Sequence, residues 1–276
     1  MSHFNTTTQT GFARSASEAM FPRLFPDAGW WCPSLNPAMG GTRLWDLSGR
    51  QNWGTLTNMD PATDWVVSGG KGALDLDGSD DVVTARALQP RFPLSVFWWA
   101  KYRSVTNQNA VVQFTTASGI DYVFHVFSFT SDSRTYFFTD SVNAGNNVSI
   151  ATSARPSIAD WLQIGIVFSS STSVALYWNG SLLTATNITG VGSITPTGIN
   201  LGRRTGAATG SVDGQLDDLR IYNRALTAGE VSQLWQIGRG NMPLRRRRRY
   251  AGQAAGGFKG YWARNNSRLI GAGNVS

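Results

Sequence analysis

The chain has 276 residues, 41% of them hydrophobic, which is enough for one large all-β core with extensions. Its formal charge is +7, yet residues 239–276 hold nine Lys and Arg and no acid, leaving 15 basic against 17 acidic groups, a net −2, in residues 1–238. The basicity therefore belongs to a tail, and a nucleic-acid-binding face on the body of the protein is disfavoured.

The single cysteine, Cys32, excludes an internal disulfide framework and a cysteine zinc cluster, and fits a small buried side chain better than a reactive thiol. No apolar run approaches the roughly 20 residues that cross a membrane. The N-terminal MSHFNTTTQTGFARSASEAM lacks the apolar stretch of a secretion signal, so synthesis in the cytosol and release by lysis are expected.

In chain order, residues 1–27 are polar, with apolar anchors only at Phe12, Met20, Phe21, Leu24 and Phe25, and form an expected N-terminal arm. From Trp30 onward strand signals recur about every ten to fifteen residues, bounded by Gly, Asn, Asp and Ser, the spacing of a sandwich. The clearest are at 94–102, 121–129, 135–139 and 161–168. Strands at 173–178 and 181–186 are separated by Asn179 and Gly180 alone, which predicts a hairpin through a type I′ turn, where both residues accept positive φ.

These strands carry Phe97, Trp98, Trp99, Tyr122, Phe124, Phe127, Phe129, Phe137, Phe138, Trp161 and Trp178, most of them expected in the core; an exception on a concave face could stack on a sugar ring. The run DGQLDDLRIYNRAL at 213–226 combines a glycine turn, a half-buried strand and a helix start. Leu219 and Ile221 are expected on one face and Asp218, Arg220 and Tyr222 on the other. Thr227 and Glu230 form a capping box, with Leu226 and Val231 as its hydrophobic staple, and Val231, Leu234 and Trp235 follow at helical spacing.

DGQLDDLRIYNRAL, together with LDLDGSDDVV at 74–83 and DLSGRQNWGTLTN at 46–58, closely resembles the laminin-G-like, concanavalin-A-like jelly-roll family over roughly residues 28–238. The resemblance implies an all-β fold: a two-sheet antiparallel jelly-roll sandwich with one short helix and extended N- and C-terminal arms. The expected organisation is an arm at 1–27, the sandwich at 28–238 and an anchoring tail at 239–276.

Enzymes exist on such sandwiches, so catalysis has to be sought in the residues. Glycoside hydrolysis needs two carboxyl groups across the scissile bond. The glutamates are Glu18, in the arm, and Glu230, in the helix cap, and no strand is expected to present two acids at i and i+4. Asp77, Asp80 and Asp81 fall in a turn, and Asp217 and Asp218 flank the final strand. His3 and His125 are the histidines; His125 alternates with Val123 and Phe127, as a core or edge histidine would. No GxSxG elbow frames a serine nucleophile. The expectation is a protein that is not an enzyme, with no cofactor. Laminin-G-like domains often hold a structural calcium ion, and the resemblance places Asp46 and Asp217 or Asp218 in the matching motifs. An ion wants six to eight oxygens, and the same Asp residues can simply hold turns.

In the tail Arg245, Arg246, Arg247, Arg248 and Arg249 form a charge run, followed by Phe258, Tyr261, Trp262, Leu269 and Ile270 between glycine-rich spacers. Apolar residues with no core of their own are suited to docking on a partner. A jelly roll with such an arm and tail resembles proteins of tailed bacteriophages. That resemblance implies a virion structural protein, a capsid decoration protein or a fibre component, assembled in the host cytoplasm. Its partners would be virion proteins such as the major capsid protein or a portal or tail component, in a homo-oligomer, with host surface glycans as a further ligand. The alternative is a carbohydrate-binding module of a bacterial or environmental protein.

Overall fold

The computed structural model describes residues 28–32, 41–46, 48, 52–68, 71–86, 92–104, 108–116, 119–128, 135–138, 147–150, 160–187, 198–203 and 211–238. Among them, sixteen strands and one helix build two antiparallel sheets packed face to face.

The first sheet runs β14 (Ser181–Asn187), β13 (Ser173–Trp178), β12 (Leu162–Ser170), β7 (Leu94–Tyr102), β16 (Asp213–Tyr222), β5 (Lys71–Asp77) and β4 (Trp65–Ser68), with β1 (Ala28–Cys32) also on β16. The second runs β11 (Asn147–Ile150), β10 (Thr135–Phe138), β9 (Gly119–Ser128), β8 (Gln108–Thr116), β15 (Gly198–Leu201), β6 (Val82–Arg86), β3 (Gly54–Thr57) and β2 (Arg43–Leu44). His125 lies on β9, opposite Ala110 and Phe138.

Alternation along the central strands sorts the side chains into two apolar layers. On β7, Leu94, Val96, Trp98, Ala100 and Tyr102 enter the core between the sheets together with Ile164, Ile166 and Phe168 of β12. Phe97 points the other way, into a second cluster with Val167, Tyr177 and Tyr222. The first sheet is thus covered on both faces, which is why β7 reads as a nearly continuous apolar run.

The cover of the second cluster is the helix, α1 (Ala228–Gly238), through Val231, Leu234 and Ile237. Each such burial contributes about 1.5–3 kcal/mol. Trp235 is only partly buried. The capping box forms as expected: the Thr227 amide donates to Glu230 Oε2 at 2.9 Å, and the Glu230 amide donates to Thr227 Oγ1 at 3.3 Å. Leu226 and Val231 meet in the staple.

Arg224 adds an ion pair to Glu230 at 2.8 Å. This partner, assisted by the Thr227 amide and hydroxyl, holds the Glu230 carboxyl down from 4.5 to about 2. A depressed folded pKa means stability that is present above pH 4.5 and lost as pH falls toward 2. Glu230→Gln should flatten that limb of the stability curve, read by urea unfolding at stepped pH.

The hairpin through Asn179 and Gly180 is also as expected, with φ of 47° and 78° at the two turn residues and Trp178 paired with Ser181. The strand of the 213–226 run departs from expectation in three ways. Asp213 and Gly214 are not a turn but the first residues of β16, paired with Asp77 and Leu76. Asp217 and Asp218 lie within the strand, not beside it. And β16 is not half-buried: Asp217, Asp218, Leu219, Arg220, Ile221 and Tyr222 are all buried, because α1 packs over Tyr222 and β1 closes the free edge of the strand's second half.

A bulge makes this exchange of partners work. The register on β7 shifts between Asp217 and Arg220, and Asp218 takes φ +52°, a left-handed conformation that Asp tolerates better than most residues. Before the bulge β16 pairs with β5, and after it with β1. Arg220 then reaches back to Asp218 with two parallel hydrogen bonds of 2.9 Å, both side chains 2% exposed.

Candidate functional site

The tail residues expected to bind partners, Arg245 to Arg249, Phe258, Tyr261, Trp262, Leu269 and Ile270, and the arm at 1–27 lie outside the described residues, as does Phe129. Among the described aromatics singled out from sequence, Phe97, Trp98 and Trp99 are buried, and Trp161 and Trp178 are partly so. The exposed pair is elsewhere, at Trp45 and Trp53, 41% and 39% exposed.

These two tryptophans flank the turn between β2 and β3. Leu44 and Leu56 point into the core at 2% and 7% exposure, so by two-residue alternation Arg43, Trp45, Trp53 and Thr55 face outward. Arg43 pairs with Thr55 and Leu44 with Gly54, bringing Trp45 beside Trp53. Their ring centroids are 6.4 Å apart at an interplanar angle of 59°. The Arg43 guanidinium sits 5.3 Å from the Trp53 ring centroid, within cation–π range.

Asp46 holds the turn that carries both rings. Its Oδ1 accepts the Ser48 amide at 2.8 Å, and its Oδ2 accepts the Ser48 hydroxyl at 2.8 Å and the Asn52 amide at 2.9 Å. Trp65 Nε1 donates to Gly41 O at 2.8 Å and ties the start of this hairpin to the other sheet.

A polar row continues inward from the edge. Thr55 is opposite Thr84, Thr84 opposite Asn200, and Asn200 opposite Gln113. Exposure falls along the row, from exposed Thr55 through half-buried Thr84 to Asn200 at 6% and Gln113 at 0%. The face is therefore open at the β2–β3 edge, with aromatic and cationic groups there and hydroxyl and amide groups behind.

Of the calcium nominees, Asp46 and Asp218 are engaged by protein groups, and Asp217 is buried at 3% exposure. Both oxygens of Asp46 accept protein donors, and Asp218 is engaged by the Arg220 guanidinium. A second acidic group, Asp77, Asp80 and Asp81, brings carboxylate oxygens within 4.8 Å of one another, but protein donors organise it as a turn. The Ser79 amide donates to Asp77 Oδ1 at 2.7 Å, and the Asp77 amide to Asp81 Oδ2 at 2.8 Å. Ser211 takes the Ser79 carbonyl at 2.6 Å, and Asn58 the Asp80 carbonyl at 3.3 Å.

Burial, together with the nearby carboxylates of Asp77, Asp64 and Asp80, pushes the Asp81 carboxyl from 3.8 up to about 6, against the opposing pull of the Asp77 amide. A raised folded pKa on an acid means stability that is full below pH 3.8 and lost as pH rises through 6. Asp81→Asn keeps an acceptor for the Asp77 amide and should remove this slope, so the variant's gain over the parent, measured by thermal melting, is expected to grow from pH 4 to pH 6.

The expectation that no strand carries acids at i and i+4 is corrected, because Asp213 and Asp217 both lie on β16. Arg103 engages Asp213 at 2.7 Å and also Asp75, while Asp217 is 3% exposed. Glu230 serves the helix cap.

The family model described as the Concanavalin A-like lectin/glucanases superfamily matches residues 76–232, and the chain belongs to this family. No curated protein matches the chain in sequence. Among solved structures it is similar to domain 4 of AbnA, a GH43 extracellular arabinanase from Geobacillus stearothermophilus, in complex with arabinotriose. The TM-score is 0.59 at 18% identity, covering 76% of this chain and 98% of that one. It is also similar to the receptor-binding domain of botulinum neurotoxin type G, with TM-score 0.54, 21% identity and coverage of 77% and 51%. A third is the botulinum neurotoxin serotype D ligand-binding domain in complex with N-acetylneuraminic acid, with TM-score 0.57, 12% identity and coverage of 78% and 52%. The chain spans about half of each neurotoxin chain. These likenesses are of fold: a lectin-like sandwich. No helix among the described residues is long and apolar enough to cross a membrane.

Proposed function

We propose that this is a non-enzymatic, glycan-binding protein of a tailed-phage particle, a decoration protein or fibre component whose sandwich is displayed outward and whose tail fastens it to neighbouring subunits. The observation that carries the binding half is the pair of exposed tryptophans on the open edge of a lectin-like sandwich. Sugar rings present apolar C–H faces that stack on such indoles, while hydroxyls such as that of Thr55 meet the ring oxygens. The anchoring half is supported by the charge division, since all of the net positive charge is carried by residues 239–276.

The second reading, a carbohydrate-binding module of a bacterial protein, is favoured by the coverage of 98% of the arabinanase domain. Light scattering of the full chain beside a truncation ending at Gly238, with and without intact capsids, separates the two. Entry of the full chain alone into a large assembly supports the virion reading. If both forms stay monomeric beside capsids, the module reading takes its place. A glycan array on either form tests the binding half, and silence across it would refute that half.

A further inference from the structure

We infer that the Arg43–Trp45–Trp53 edge is a subsite for an acidic oligosaccharide, one whose ring stacks on the indoles and whose carboxylate is gripped by Arg43. This rests on the glycan-binding reading above and narrows it to a place and a class of sugar.

Three features point to a ligand rather than to a casually exposed surface. Two adjacent tryptophans, 41% and 39% exposed, form a contiguous apolar patch of the kind that marks interaction sites. Asp46 accepts three hydrogen bonds, from the Ser48 amide and hydroxyl and from the Asn52 amide, which tie the residue after Trp45 to the residue before Trp53, and a preorganised surface loses little entropy on binding. The third feature is Arg43.

Arg43 decides the class. The Arg43 guanidinium lies over the Trp53 ring, and a guanidinium that meets an indole through its face keeps its in-plane N–H groups for bidentate capture of a planar carboxylate. Among the described residues Arg43 makes no ion pair, whereas Arg103, Arg220 and Arg224 each hold an Asp or Glu. A neutral sugar would satisfy the indoles and the Thr55–Thr84 hydroxyls but not this cation. A nucleic acid could also stack and pair, but the phosphates of successive nucleotides call for several cations in a row, while the carboxylate of a single sugar ring is met by a single arginine.

The edge precedes the segment that the family model matches, residues 76–232.

The test is calorimetry on the full chain with oligogalacturonate and sialyllactose as acidic probes, lactose and arabinotriose as neutral ones, and a sulfated lactose to separate carboxylate from sulfate ester. At least one carboxylated probe should bind about tenfold or more tighter than the neutral probes, the worth of one charge-assisted bidentate contact. Arg43→Gln should abolish that preference while leaving weak binding, Arg43→Lys should restore part of it, and Trp53→Ala should weaken every probe. Arg43 is exposed, so the Gln and Lys variants keep the test usable even if Trp53→Ala unfolds.

Equal binding of acidic and neutral probes, preference for the sulfate ester, or an acid preference that survives Arg43→Gln would overturn the inference and leave the glycan-binding reading standing. Binding to no glycan would overturn both.

Discussion

Arg220→Met is expected to destabilise the protein by about 3–5 kcal/mol, the loss that follows when one partner of a buried ion pair is removed and the other stays. Asp218 cannot relax into water: its side chain is 2% exposed, β7 lies on one side of its strand, and β1 pairs with the residues that follow it on the other. Nor can the backbone easily turn it away, because the bulge fixes Asp218 at φ +52°. At roughly 2–4 °C per kcal/mol for a domain of this size, the melting temperature should fall by about 6–20 °C. The double variant Asp218→Asn with Arg220→Met should recover much of that, since Asn accepts the left-handed conformation and carries no charge. Urea unfolding of the two variants beside the parent distinguishes the cases. A loss below about 1 kcal/mol in the single variant would show that Asp218 is solvated or otherwise neutralised.

How far the sequence could be read depended on how local the determining interaction was. The Asn179–Gly180 turn and the Thr227–Glu230 cap are set by neighbouring residues, and both formed as their spacing predicts. Burial of both faces of β16 was not legible in the same way. Asp218 and Arg220 look like solvent-facing residues of a half-exposed strand, and only β1, far away in sequence, and the helix beyond Leu226 turn that face into an interior. The strand's start was misread for a related reason: Asp-Gly is strong turn chemistry, but Gly214 serves a close strand approach instead.

The exposed edge was hidden by composition. Trp45 and Trp53 are the same residue type as the core residue Trp98, and what separates them is parity against Leu44 and Leu56 on two short strands. The alternation Arg43–Leu44–Trp45 and Trp53–Gly54–Thr55–Leu56 held that signal, but only once the leucines were known to be the inward set. The anchoring residues from Arg245 to Ile270 lie outside the described residues, and their role remains a proposal.

Gly214→Ala should cost at least about 3 kcal/mol, from backbone strain and overpacking together. The residue sits at φ +149°, a conformation that a Cβ disfavours. An added methyl would lie 2.4 Å from the Lys101 carbonyl oxygen and 2.8 Å from the Tyr102 Cα. Those are backbone atoms of β7, which is hydrogen-bonded between β12 and β16, so the neighbour has no room to yield. Asp213 is fixed as well, its carbonyl accepting the Arg103 amide at 2.9 Å. The same substitution one helix later serves as the control. At Gly229, in the first turn of α1, a Cβ meets only Thr227 Oγ1 at 4.0 Å, and Gly229→Ala should stabilise by about 0.5–1 kcal/mol through helix propensity. Opposite signs for the two variants in one denaturation series would show that the approach of β16 to β7, and not a general intolerance of alanine, makes glycine necessary at 214. Equal, small effects would mean that β7 can shift to admit the methyl.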